Sequence, residues 1–437
     1  ADGRGEVKRK PLEAGEEGSD PQPSASSDGP SQKRRRLEPV EKVSVEKVSM
    51  SQALSKAFRE LDPLRDLLAS VLSGWTPPKI VVIGDESAGK STILEMLAML
   101  PVFPRWKRFC TRLAIHLRLR RDWASQATLS VYKVDGPGDG QQVGDPMKVP
   151  QENGWRWVRE QMHKLAEDLA VTATRVVKDH ILVLEVRRPD VPSIDLVDLP
   201  GLTTFPEDKA AEVQAVLKRQ LDDDVKTGGH SMYLAVVPAS GDVRPATNGA
   251  MKFIQDNRLT GKTFGVFSKC DQCSDPDSLQ ALVTGNNTKD GETPVSLGAV
   301  PLDKGWAATM LKPPDGEEFQ VHNFERILRQ QSADAAWFSG DKNYAQMVQN
   351  GKAGMKALVE HLESEYSLYM STTWKPGAMK QILNKLDEKE FDLNMLGVIP
   401  EESEKDKLAK QEVERRFGPQ SPVKDLYERF YEEELRN

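Results

Sequence analysis

One segment constrains this chain more than any other: Ile80-Val81-Val82-Ile83 runs directly into Gly84-Asp85-Glu86-Ser87-Ala88-Gly89-Lys90-Ser91-Thr92. The β-branched run, bounded by Pro77-Pro78 and by glycine, predicts a short buried strand. Thr92-Ile93-Leu94-Glu95-Met96-Leu97 behind it opens a helix. The loop between them fits G-x-x-x-x-G-K-[ST], whose glycines let backbone N–H groups wrap phosphates at the positive end of a helix. Lys90 is expected to reach the outer phosphates, and the Ser91 hydroxyl to bind Mg²⁺.

Further apolar runs continue the pattern at 181–186, 194–197, 233–237 and 263–267, with helical stretches at 207–224 and 246–257. Alternating strands and helices predict an α/β layer with a mostly parallel central sheet. Beyond about residue 320 the strands cease. Residues 342–370 and 377–396 read as helices, with Met355, Leu358, Val359, Leu362, Tyr366 and Tyr369 on one face. The charged stretch 401–437 is expected to be helical too.

Two later motifs fall at predicted strand ends, where open α/β sheets bind nucleotides. Asp198-Leu199-Pro200-Gly201 follows 194–197. Its carboxylate can hold Mg²⁺ through water, and the Gly201 N–H can sense a third phosphate. Ser268-Lys269-Cys270-Asp271 follows 263–267. Asp271 can accept from the two guanine donors that adenine lacks, so a buried carboxylate there would penalise ATP. Cys270 and Cys273 form a C-x-x-C with no second pair or histidine cluster, so Cys270 reads as a variable position of the base motif.

Composition narrows the class. The 437 residues carry 60 basic and 67 acidic side chains, a net charge of −7 that argues against specific nucleic-acid binding. Three cysteines, Cys110, Cys270 and Cys273, cannot form a disulfide framework, which fits a reducing compartment. No apolar run is long enough to span a membrane, so any membrane contact is expected to be peripheral. Residues 1–48 lack aromatic residues and are expected to be a disordered tail. Lys8-Arg9-Lys10 and Lys33-Arg34-Arg35-Arg36 within it read as solvated charge runs, a nuclear-import signal being the alternative. The first residue is Ala, which leaves room for a trimmed or partial chain.

At these motifs the chain resembles the dynamin superfamily. Gly84 to Glu95 is similar to G-D-x-S-A-G-K-S-[ST]-x-L-E, and Val197 to Gly201 to V-D-L-P-G. Thr111-Arg112 resembles the pair closing the first switch. Leu234 to Ala239 with Asp242, Asn248 and Ala250-Met251-Lys252, and Trp337-Phe338 with Gly351, extend the likeness over roughly 50–400.

The resemblance implies a GTPase that hydrolyses GTP to GDP, using Mg²⁺ at Ser91, Thr111 and Asp198. Gly84, Asp85, Ser87, Ala88, Gly89, Lys90, Ser91, Thr92, Asp198, Gly201, Lys269 and Asp271 would bind nucleotide. Glu86, Ser87, Thr111 and Gly201 would serve the chemistry, with Ser87 helping to hold a monovalent cation. Relatives carry Gln where Glu86 stands, to orient the water; the carboxylate would oppose the phosphates and slow turnover, or act as the base. The base loop near Gly305 to Met310 aligns only loosely, with Leu311-Lys312 in place of Asn-Arg.

The resemblance also implies a hinge-bundle helix at 49–75, a GTPase domain at 76–340 and the helical start of an incomplete stalk at 341–437. It further implies self-assembly through domain and stalk, and membrane remodelling from the cytoplasm. A soluble scaffold with weak hydrolysis, or a nuclear or antiviral-type relative, is the alternative.

Overall fold

The computed structural model describes residues 79–103, 111–134, 140–170, 175–189, 191, 193–226, 231–241, 243–312, 324–396 and 402–417. The expected tail, the hinge-bundle helix, Cys110, Asp242 and residues 418–437 lie outside them.

Nine strands form one sheet: β1 (Lys79–Gly84), β2 (Ala114–Arg121), β3 (Gln126–Lys133), β4 (Gln141–Lys148), β5 (His180–Arg188), β6 (Ile194–Asp198), β7 (Met232–Pro238), β8 (Thr263–Ser268) and β9 (Trp306–Ala308). Their spatial order is β4-β3-β5-β2-β6-β1-β7-β8-β9. From β6 to β9 every pairing is parallel. On the other flank β2 runs antiparallel to β6 and parallel to β5, while β3 is antiparallel to both β5 and β4. The sheet is therefore mixed α/β with a mostly parallel centre, as the strand–helix alternation requires.

The helices are α1 (Lys90–Ala98), α2 (Gly154–Leu169), α3 (Glu207–Lys226), α4 (Gly249–Asp256), α5 (Pro276–Thr284), α6 (Phe324–Gly340), α7 (Ala345–Gln349), α8 (Gly354–Tyr369), α9 (Lys375–Leu396) and α10 (Glu402–Phe417), and α1 to α8 contribute buried residues to the cores on the two faces. Side chains alternate across a strand, and β1 shows the result. Ile80 and Val82 join a core with Ile93 and Leu97 of α1, Met162 of α2 and Leu358 of α8. Val81 and Ile83 point the other way, into a core with Val216 of α3, Ile254 of α4 and Leu282 of α5. Burying one such aliphatic side chain stabilises by roughly 1.5–3 kcal/mol, so two-sided burial makes β1 a rigid base for the loop it feeds.

The expected single helix over 342–370 is broken in two. Gly351 and Gly354 adopt φ of 62° and 85°, left-handed values that end α7 and restart the chain as α8. Between them Ala353 bridges to Ala308 of β9. Helix 246–257 is shortened likewise, because the Asn248 side chain accepts from the N–H groups of Ala250 and Met251 and caps α4 there.

The core continues past residue 340: Met355, Leu358, Leu362 and Tyr366 of α8 pack with the strands. Buried polar ties pin the helices. Arg326 of α6 pairs with Glu95 of α1 at 2.8 Å. Asp334 of α6 accepts from the N–H groups of Met310 and Met355, each at 2.6 Å. Along α9 the apolar side chains Leu383, Leu386 and Phe391 are instead exposed. Among the described residues no helix is long and apolar enough to cross a membrane.

Candidate functional site

The strand β1 ends at Gly84 and α1 begins at Lys90, leaving a five-residue turn. Ser87 (φ 62°) and Gly89 (φ 96°) are both left-handed, which closes the turn tightly. Ala88 N–H donates to the Asp85 carbonyl at 3.1 Å, and Ile93 N–H to that of Gly89 at 3.1 Å. The Lys90 ammonium lies inside this loop and donates to the carbonyls of Gly84 and Asp85, each at 3.1 Å. It is buried, on the inner side of the loop where outer phosphates would lie. Thr92 follows Ser91 in the first turn of α1.

Neighbouring elements lock the loop. The Ser268 hydroxyl, at the end of β8, donates to the Ala88 carbonyl at 2.6 Å. Asn248 Nδ2 donates to the Asp85 carboxylate at 2.7 Å. Burial pushes the Asp85 carboxyl up, while the N–H groups of Gly249 and Ala250 and the charge of Lys90 pull it back. The Asp85 side chain is thus spent on anchoring α4, and its backbone carbonyl faces Lys90.

Ser91, Thr111 and Asp198 converge from α1, the segment before β2, and the end of β6. Asp198 is level with Val82 of β1 on one side and Ile115 of β2 on the other. Its Oδ2 accepts from Ser91 Oγ at 2.7 Å and from Thr111 Oγ1 at 2.9 Å, and the two hydroxyls are 3.3 Å apart. Asp198 is wholly buried, and its Oδ1 has no hydrogen-bond partner. Burial pushes the carboxyl up, against the pull of Lys90 and both hydroxyls. An orphaned buried carboxylate oxygen beside two hydroxyls is an all-oxygen donor set, the chemistry a hard cation such as Mg²⁺ takes. The residues fit that ion. Among the described residues no group of three or more His, Cys, Asp or Glu side chains could hold a metal.

Gly201 closes the remaining side. A Cβ there would lie 2.6 Å from the Glu86 Cα, 2.8 Å from its N and 2.9 Å from Lys90 Nζ, so only glycine permits this approach. The neighbouring Leu202 exchanges bonds with the loop: its N–H donates to the Gly84 carbonyl at 3.1 Å, and its carbonyl accepts from Glu86 N–H at 2.9 Å. The Glu86 carboxylate accepts from Lys209 Nζ at 3.0 and 2.9 Å.

At the end of β8 Lys269 is left-handed (φ 55°) and leads a short turn over Cys270–Gln272 that carries half-buried Asp271. Cys270 is buried, and burial pushes its thiol well up, which fits a packing role. Thr309 N–H donates to the Phe267 carbonyl at 2.7 Å, and Cys270 N–H to the Thr309 carbonyl at 3.3 Å. The loosely aligned Gly305–Met310 stretch thereby lies against this turn.

The structure thus gathers the Gly84–Ser91 loop, Thr111, Asp198 and Gly201 around Lys90, while Lys269 and Asp271 stand at the end of β8, two strands from β1. Sequence inspection missed Asn248 as an anchor of Asp85, Ser268 as a tie to the loop, and Lys209 as the partner of Glu86. Asn248 carried a signal, being a capping residue before an apolar helix. Lys209 carried none: it is one lysine in a charged helix, 123 positions from its partner.

Residues 80–270 match the model of the dynamin family. Curated relatives include the interferon-induced GTP-binding protein Mx2 of Sus scrofa, 26% identical over 85% of this chain and 49% of its own length. The interferon-induced GTP-binding protein Mx of Epinephelus coioides is 26% identical over 80% and 51%. Mx2 of Homo sapiens is 24% identical over 85% and 49%. The chain spans about half the length of the curated relatives it matches.

Proposed function

We propose, from the premise that the chain belongs to the dynamin superfamily, that it binds GTP with Mg²⁺ and hydrolyses it to GDP and phosphate. The carrying observation is the orphaned Asp198 Oδ1 beside the Ser91 and Thr111 hydroxyls, next to the buried ammonium of Lys90. Ser91, Thr111 and Asp198 would hold the ion, which supplies positive charge to the outer phosphates. Loop N–H groups and Lys90 bind the phosphate oxygens. Thr111 and the Gly201 N–H orient a water for attack on the third phosphorus. The bond from that phosphorus to the bridging oxygen breaks, and GDP leaves with its electron pair. The water's protons end on phosphate and solvent. Ser87 would help hold a monovalent cation, and Asp271, two residues after Lys269, accepts from the guanine N1–H and amino group.

Because α8 shares the core of the sheet, we place the end of the nucleotide domain after α8 and the start of the stalk at α9. Hydrolysis is coupled to self-assembly and to remodelling of a membrane touched from the cytoplasm. The exposed apolar side chains of α9 support a packing partner for that helix.

Titration of a fluorescent GTP analogue in Mg²⁺ tests the binding claim. Lys90→Ala, which removes the cation reaching the outer phosphates, is expected to weaken binding by a factor on the order of 10² or more. Unchanged binding would defeat the assignment of the loop.

A further inference from the structure

Glu86 is an acidic residue in a loop built to receive a triphosphate. Its backbone N and Cα lie 2.8 and 2.6 Å from the position a Gly201 Cβ would take, and Lys90 Nζ lies 2.9 Å from that same position. The residue therefore borders the place where the outermost phosphate meets Lys90. A bare carboxylate there would repel the phosphate and would be free to swing away from the reacting centre. Neither condition holds, because both carboxylate oxygens are fastened by one ammonium.

Lys209 Nζ donates to Oε1 at 3.0 Å and to Oε2 at 2.9 Å. The side chains of Lys209 and Glu86 are 22% and 34% exposed, so the pair is partly shielded from water and salt. The lysine is itself held. It is the third residue of α3, whose flanking Asp208 and Glu212 are both gripped by Arg175. Val176 N–H adds a bond to Glu212 at 3.0 Å. Val177 N–H in turn donates to the Arg112 carbonyl at 2.9 Å, next to Thr111. The support behind Lys209 thus reaches the segment that carries the metal-side threonine.

We propose that Lys209 is a positioning residue of the hydrolytic step: it fixes the Glu86 carboxylate at the lip of the phosphate loop and offsets its charge against the incoming phosphate. Held so, the carboxylate keeps lone pairs for a hydrogen bond from the attacking water, and Lys209 acts only through it. The proposal rests on the GTP-hydrolysing function proposed above.

A double-mutant cycle tests it on the full chain. Single-turnover GTP hydrolysis at saturating Mg²⁺, and affinity for a non-hydrolysable GTP analogue, are measured for the unmutated protein, Lys209→Met, Lys209→Arg, Glu86→Gln and Glu86→Gln with Lys209→Met. Lys209→Met is expected to slow the single-turnover step about tenfold or more, while Lys209→Arg restores it to within about threefold. In the Glu86→Gln background the same Lys209→Met change is expected to alter the rate less than about twofold, since no charge remains to fix or offset. Equal losses in both backgrounds, or no loss in either, would overturn the proposal while leaving GTP hydrolysis intact. An unmutated chain that neither binds nor hydrolyses GTP would end both. Should Lys209→Met fail to fold, Lys209→Gln takes its place in the cycle, judged by the same two ratios.

Discussion

Among the described residues two aspartates are wholly buried, and their surroundings are opposite. Asp334, on α6, spends one carboxylate oxygen on Met310 N–H after β9 and the other on Met355 N–H of α8. Asp198, at the end of β6, directs Oδ2 to two hydroxyls and leaves Oδ1 with no partner. A buried carboxylate is costly unless it is satisfied. Asp334 is satisfied by the fold itself and ties three segments together. Asp198 is only half satisfied by the described residues, and the Lys90 charge beside it opposes the upward push of burial on its carboxyl. The difference between a structural acid and a functional one is thus an accounting of oxygens.

Exchange experiments put this contrast at risk. Asp198→Asn is expected to lower GTP turnover by a factor on the order of 10²–10³, because under the proposed function it would remove the ion's charged oxygen ligand. Its urea midpoint is expected to stay level or rise, since an incompletely satisfied buried charge has been removed. If Asp198→Asn instead unfolded the protein with turnover per folded molecule preserved, the two aspartates would have exchanged roles.

Asp334 has the complementary signature in pH. Burial raises its carboxyl to about 6, above an ordinary value of 3.8. Its stabilising contribution is therefore fully present below the unfolded value and is lost as pH rises through about 6. Between pH 7.5 and pH 5 the folded state is expected to gain on the order of 1 kcal/mol from this group. Urea titrations at the two pH values, compared with Asp334→Asn, isolate the increment. The mutant is expected to lack it while keeping GTP affinity within a few-fold. An identical pH response in both proteins would remove Asp334 from the account.

A third aspartate sharpens the scale. Asp271 is only half-buried, so replacing it is expected to have the smallest effect of the three. Asp271→Asn is expected to shift preference from guanosine toward xanthosine triphosphate by roughly tenfold, read by competition binding. ATP competing equally with GTP in the unmutated chain would take base recognition away from this residue.

The two flanks of the sheet differ in how far the sequence foretold them. β1, β6, β7 and β8 are buried on both faces, and each is dominated by apolar residues, with only Asp195 interrupting the run in β6. β2 mixes His and Arg with its apolar residues, and β4 contains Gly, Asp and Pro and is almost wholly exposed. β4 exists because β3 offers it a free edge to pair with. Nothing within the segment itself asks for a strand. β9 is three residues long and is set by pairing with β8. Helices α2, α5 and α6 were likewise not anticipated, and the break between α7 and α8 rests on the left-handed Gly351 and Gly354.

What the sequence determined by itself was the local chemistry: the strand, loop and helix around Gly84–Thr92, and the acid motifs at the ends of β6 and β8. Those features depend on residues within a turn or two of one another, where spacing dictates geometry. Tertiary structure alone decided which groups those residues would meet. It turned Asp85 toward Asn248, left one oxygen of Asp198 unfilled, and set Lys209 against Glu86. Each of these pairings joins positions more than 100 residues apart or depends on burial from several elements at once, and linear spacing carries no record of either.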